Sequence, residues 1–227
     1  MGRRMTERLS VFALLSFSLA LTSTPAQAEM YVAGQFGVTI PNSFSHIEGV
    51  GNNTGLTLSN LNLQNSLMYG AKLGYYFDSI KWLGVETEVF NTHPNIKQQT
   101  INASFGGGAA TVPISGQDLR VLTWAPLNVV VRYQAGQFEP YAGVGMGVFF
   151  SRVHDAQSGE SSSDTSVGLN TQLGAHYFVI KNLSVFGEWK YNRASLNFDQ
   201  SSPTQKTGGI KGDYSAHILA FGVGYHF

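Results

Sequence analysis

From residue 214 to the carboxyl end the chain reads YSAHILAFGVGYHF, in which Leu219, Phe221, Val223, Tyr225 and Phe227 alternate with Ile218, Ala220, Gly222, Gly224 and His226. A period of two is that of a strand, because successive side chains leave a pleated backbone on opposite faces. Such a length exceeds an ordinary globular strand and suits one that crosses a bilayer at a tilt.

Seven earlier segments repeat the pattern: 30–40, 67–77, 83–92, 119–133, 139–150, 166–178 and 183–192. The second is the cleanest, with Leu67, Tyr69, Ala71, Leu73, Tyr75 and Phe77 against Met68, Gly70, Lys72, Gly74 and Tyr76. Short turns near 78–82, 134–138 and 181–182 alternate with polar, Asn-, Ser- and Gly-rich connections at 41–66, 93–118, 151–165 and 198–213. The run Gly106-Gly107-Gly108 falls in one of these connections, where no strand core would be disturbed. Pro126 interrupts the 119–133 segment, and a closed sheet has no edge to hide it, so a bulge is expected there. Eight strands with short connections on one side and long ones on the other predict an all-β, antiparallel up-and-down barrel.

Alternation alone does not say which face looks inward. A soluble eight-stranded ligand carrier would place the apolar face inside, and a membrane barrel would place it outside. Three features favour the membrane. The apolar face carries no Lys, Arg, Asp or Glu in the strand cores, where a midplane charge costs roughly 2–4 kcal/mol. Aromatic residues such as Tyr75, Phe77, Tyr133, Tyr177, Tyr225 and Phe227 lie near strand ends, as in an interfacial girdle. The other face is rich in glycine, which a narrow interior needs and a solvated face does not. The interior would then hold Lys72, Arg120, Arg132 and Lys190 with Glu86, Glu88 and Glu188, and with Glu139 near the turn side. Enclosed charges must be paired, so these residues, helped by Asn128, Asn170 and Gln172, are expected to form an ion-pair network that fills the lumen.

Composition sharpens this picture. Arg3, Arg4 and Arg8 precede an apolar run, 11–21, and Ala26-Gln27-Ala28 follows as a cleavage site, so residues 1–28 are read as a signal peptide and 29–227 as one domain. The remainder holds 11 basic and 13 acidic residues, a balance that offers nucleic acid no basic surface. It contains no cysteine, so no disulfide staples it. The six histidines are scattered without ligand spacing, and no metal or cofactor site is expected. The GVGMG run lies within a strand and opens no helix, which argues against a nucleotide loop.

The stretches WLGVETE at 82–88, APLNVVVRY at 125–133, PYAGVGMG at 140–147 and FGEWKY at 186–191, together with the closing strand, resemble the small OmpA/OmpX-type outer-membrane beta-barrel superfamily. The resemblance spans the whole presumed mature chain. It implies short periplasmic turns, long extracellular loops and a monomer embedded in outer-membrane lipid and lipopolysaccharide. It further implies that Leu219, Phe221, Val223, Tyr225 and Phe227 serve as the signal read by the barrel-assembly machinery. The sequence ends at its eighth strand, without the peptidoglycan-binding domain of full-length OmpA. Barrels of this kind act as scaffolds, surface-binding proteins, small channels or lipid A-modifying hydrolases. The expectation here is a non-enzymatic scaffold whose loops meet surface ligands, with a small-solute channel as the alternative. A hydrolase would need a paired Ser and His, and the sequence offers only Ser215-x-His217 with Asp213 nearby.

Overall fold

A computed structural model describes residues 29–154, 159, 161–198, 201–202, 205–206 and 209–227. The expected signal peptide and its cleavage site lie outside these residues.

The strands are β1 (Glu29–Pro41), β2 (Ser45–Val50), β3 (Thr57–Leu58), β4 (Ser66–Tyr76), β5 (Leu83–Thr92), β6 (Gln99–Phe105), β7 (Gly108–Ile114), β8 (Asp118–Arg132), β9 (Phe138–His154), β10 (Ser161–Ile180), β11 (Leu183–Phe198), β12 (Ser201–Ser202), β13 (Gln205–Lys206) and β14 (Gly209–His226). Eight of them, in the order β1-β4-β5-β8-β9-β10-β11-β14, pair with their neighbours, and β14 pairs back onto β1 to close the ring. Every barrel pairing is antiparallel. Closure leaves no barrel strand with an open edge, which is what a sheet in lipid requires.

The apolar face is outside. Leu67, Tyr69, Leu73, Val144, Met146, Leu173, Phe221 and Val223 are all exposed, while Lys72, Glu86, Glu88, Asn128, Asn170, Glu188 and Lys190 are buried. This inversion excludes the soluble-carrier arrangement.

Three expectations need correction. The 151–165 connection is largely strand, because β9 runs to His154 and β10 starts at Ser161; β14 likewise begins at Gly209 and β11 ends only at Phe198. The apolar alternation stops where lipid stops, but backbone ladders continue into water with polar side chains. The long connections also contain strands: β2 pairs with β14, β3 with β2 and β6, and β6 with β7. The glycine run closes that last hairpin, where Gly106 and Gly107 have φ of 58° and 87°. Two consecutive positive φ values define the type I′ turn that matches strand twist.

The third correction concerns Pro126. The bulge expected there exists: β8 slips by one residue against β9 between Trp124 and Leu127 and against β5 between Ala125 and Asn128. Its consequence for side chains is larger than the sequence reading assumed. Below it Asn128, Val130 and Arg132 face inward, whereas above it Leu119, Val121, Thr123 and Ala125 do, so the phase of alternation flips. One extra residue in the bulge switches the inward positions from odd-numbered to even-numbered residues. Arg120 therefore points out of the lumen, and its Nε donates to His93 Nε2 at 2.9 Å.

Candidate functional site

Among the described residues, chemistry-bearing side chains converge in the interior, which is layered along the barrel axis. At the centre, Lys72 on β4 reaches Glu188 on β11 (Nζ–Oε2 2.5 Å) and Glu86 on β5 (3.3 Å). Lys190 on β11 reaches Glu88 (2.5 Å) and Glu188 (2.6 Å). The contacts tie together strands on opposite sides of the ring. Lys72 also donates to Gln172 Oε1 at 3.0 Å, and Gln172 Nε2 donates to Glu86 at 2.9 Å. Asn170 donates to Glu88 at 2.8 Å and Asn128 at 3.3 Å.

Three glutamates face two lysines here, and two tyrosines supply further donors to the carboxylates. Tyr31 OH donates to Glu86, and Tyr141 OH donates to Glu188 at 2.7 Å. Glycine makes room for both rings: a Cβ at Gly74 would overlap the Tyr31 ring, and one at Gly174 would overlap Tyr141. In the sequence Tyr31 shares its parity with Gln35, and Tyr141 with Gly143, but nothing there names their partners.

A second cluster closes the short-turn end. Arg132 Nη1 lies 2.6 Å from Glu29 and 3.1 Å from Glu139, its Nε donates to the Lys81 carbonyl at 3.0 Å, and its guanidinium stacks 3.6 Å above the Tyr76 ring. Glu29 also meets His226 Nδ1 at 2.6 Å, His226 Nε2 meets Ser184 Oγ at 2.9 Å, and Ser184 Oγ meets His176 Nδ1 at 2.9 Å. This chain joins the first residue of β1 to the last of β14, across the seam where the barrel closes. Its acid-histidine-serine order has the shape of a hydrolytic relay, but Ser184 is fully enclosed, whereas a nucleophile must be reachable. A recess of about 500 Å³ lined by Glu29, Gln137, Glu139, Asn182, His226 and Phe227 lies outside it. Glu29, Ser184, His176 and His226 were missed in the sequence because their partners lie on different strands.

Above the central layer the lumen turns apolar. Leu119, Val121, Phe149, Ala194, Leu196 and Ala216 from the barrel pack against Phe44, Ile47, Leu61, Leu63, Ile96 and Ile101 from the long connections, and all are buried.

The surface candidates come apart. Ser215 Oγ accepts from Asn42 at 2.9 Å, Asp213 pairs with Arg193 at 3.1 Å, and His217 stacks on Trp189 with centroids 5.7 Å apart. Ser215 and His217 face different partners, and the histidine that Asp213 meets is His46, whose Nδ1 lies 3.5 Å from its Oδ2. Leu219, Phe221, Val223, Tyr225 and Phe227 line the outer face of β14, exposed together.

A closed antiparallel barrel, apolar outside and ion-paired within, defines a transmembrane β-barrel. The chain belongs to the outer membrane protein beta-barrel domain family, which it matches over residues 10–227. Its place is the outer membrane of Gram-negative bacteria. Among solved structures it is similar to Neisserial surface protein A, at 16% identity and a TM-score of 0.54, covering 87% of this chain and 97% of that one. It is also similar to the outer membrane protein OprG from Pseudomonas aeruginosa, at 17% identity and a TM-score of 0.54, covering 88% and 95%. At such identity the likeness concerns the fold. No curated protein matches the chain in sequence.

Proposed function

We propose that the protein is a monomeric, non-enzymatic outer-membrane scaffold whose lumen is plugged by its own side chains and whose work is done by its extracellular loops. The observation that carries this reading is the buried Lys72, Lys190, Glu86, Glu88 and Glu188 layer, whose contacts cross the interior from strand to strand. The apolar layer above it adds a second barrier to ions. Ser215 accepts from Asn42 while His217 stacks on Trp189, which favours a non-enzymatic role. The apolar outer face of the last part of β14, from Leu219 to Tyr225 and ending in Phe227, supports recognition by the barrel-assembly machinery. Cleavage after Ala28 would leave Glu29, which holds Arg132 and His226, as the first residue of the mature chain. Lipopolysaccharide is the lipid such a scaffold meets in the outer leaflet.

Single-channel conductance of the refolded protein tests the plug. Silence in the wild type, Glu88→Gln and Lys72→Ala, with only lowered resistance to unfolding in the variants, supports the scaffold. Discrete openings altered by either substitution would make the same charges the gate of a small-solute channel.

A further inference from the structure

We infer that the outer edge of β7 is a docking strand for an extended, uncharged segment of a partner protein at the cell surface. This goes beyond the scaffold reading by naming the loop and the mode of binding. In the sheet that leaves the barrel through β14-β2-β3-β6-β7, β7 is the last strand, and among the described residues nothing pairs with its far side. The register defines which groups that edge offers. The two-residue turn makes Phe105 and Gly108 a mutually hydrogen-bonded pair, and alternation then makes Ala103–Ala110 and Ile101–Val112 bonded and Ser104–Ala109, Asn102–Thr111 and Thr100–Pro113 non-bonded. In a non-bonded pair both backbones turn away from each other. Asn102 fits this, since its N–H meets Ser59 Oγ at 3.1 Å and its carbonyl accepts from the Ser59 N–H at 2.9 Å, on the β3 side. Across from it, the N–H and C=O of Thr111 and Ala109 must face outward. Pro113 offers a carbonyl alone.

Two further observations point to the occupant. From Gln98 to Gln117 there is no charged residue, although native edges are commonly guarded by charge. A charged strand laid there would lose hydration without gaining a counter-ion, so the partner segment is neutral. Beside the donor-poor end of the edge lies a groove of about 550 Å³ lined by Gln98, Gln99, Thr100, Pro113, Ile114 and Ser115. A strand added at Ala109 and Thr111 continues past Pro113, where one of its alternate side chains can enter this groove. Main-chain bonds supply affinity and the groove supplies selectivity, as in other strand-addition complexes.

The test uses the refolded protein in lipid nanodiscs and an end-capped heptapeptide of alternating Thr, Gln and Val, with a copy carrying Lys at alternate positions. In the free protein the Ala109 and Thr111 amides should exchange quickly and those of Ala110 and Val112 slowly. The neutral peptide should slow Ala109 and Thr111 about tenfold or more, and the lysine copy should not. Thr111→Pro removes an outward donor without breaking a bond to β6, so it should abolish peptide protection while leaving the slow exchange of Ala110 and Val112 unchanged. Protection of Ala109 and Thr111 without peptide, or a dimer that Thr111→Pro dissolves, would show the edge already occupied and overturn the proposal. Equal binding of both peptides, or binding indifferent to Thr111→Pro, would overturn it too.

Discussion

The lumen is solved in two ways within one barrel. Its centre is held by charges: Lys72 and Lys190 among three glutamates, with Gln35 Oε1, Asn170 Oδ1 and Asn192 Oδ1 left without a protein donor. Its half toward the long loops is held by packed hydrocarbon, with Leu196, Phe149 and Val121 almost wholly enclosed. The ionic region depends on each member, because removing one ion leaves its partner buried without compensation. The apolar region loses only the volume removed. The same span of backbone is therefore brittle at its centre and more forgiving at its outer mouth.

The sharpest way to break this contrast is Val121→Arg, which drives a guanidinium into the apolar half beside Phe149 and Leu196, where the packed cluster offers it no carboxylate. The variant should fail to reach a folded barrel in detergent, as judged by the loss of heat-dependent gel mobility. Retained folding would mean that the apolar half accommodates a charge as readily as the centre does.

Lys190→Met comes next. It strips the nearest cation from Glu88 and one of the two cations that meet Glu188, and should cost about 3–5 kcal/mol in denaturant unfolding from lipid vesicles. Adding Glu88→Gln in the same chain should recover part of that loss, since one stranded charge is then gone. Leu196→Ala in the apolar half should cost about 2–4 kcal/mol, and no second substitution at a neighbouring charge should rescue it. A Leu196→Ala loss as large as that of Lys190→Met would erase the difference between the two regions.

Arg120→Ala is the smallest perturbation. Facing outward beside His93, it should change stability by less than about 0.5 kcal/mol. Its trace should be found in titration instead. Partial burial and then the Arg120 charge hold the His93 imidazole below its ordinary pKa, with Asp118 opposing. The folded protein thus favours the neutral ring, and what this contributes is present above the ordinary histidine range and fades as pH falls through the lowered value. In Arg120→Ala the His93 ring resonances should titrate at higher pH than in the wild type. An unchanged midpoint would mean that Arg120 and His93 do not interact in solution.

The barrel was legible because lipid imposes a rule on every second residue. The eight alternating runs, the outward face of β14 and the inward glycines follow from it directly, and so does membership of Lys72, Glu86, Glu88, Glu188 and Lys190 in one interior. The two tyrosines shared that parity but gave no sign of their partners, because Tyr31 meets Glu86 only when β1 and β5 are brought together across β4. Arg120 misled for a related reason. Its parity within the segment was read through Pro126 as though the ladder were unbroken. The loops were read as polar connections, although Phe44, Ile47, Leu61 and Leu63 carry enough apolar surface to seal the mouth once the barrel presents Leu196 and Phe149 to them.

The sequence by itself determined the number of barrel strands, their order and which side meets lipid, because those depend on local period and on the cost of charge in hydrocarbon. Only the tertiary structure decided which charges pair, where the parity of β8 changes and that, among the described residues, β7 keeps an open edge. Those are matters of register between strands distant in sequence, and a one-residue slip, invisible in composition, exchanges inside for outside.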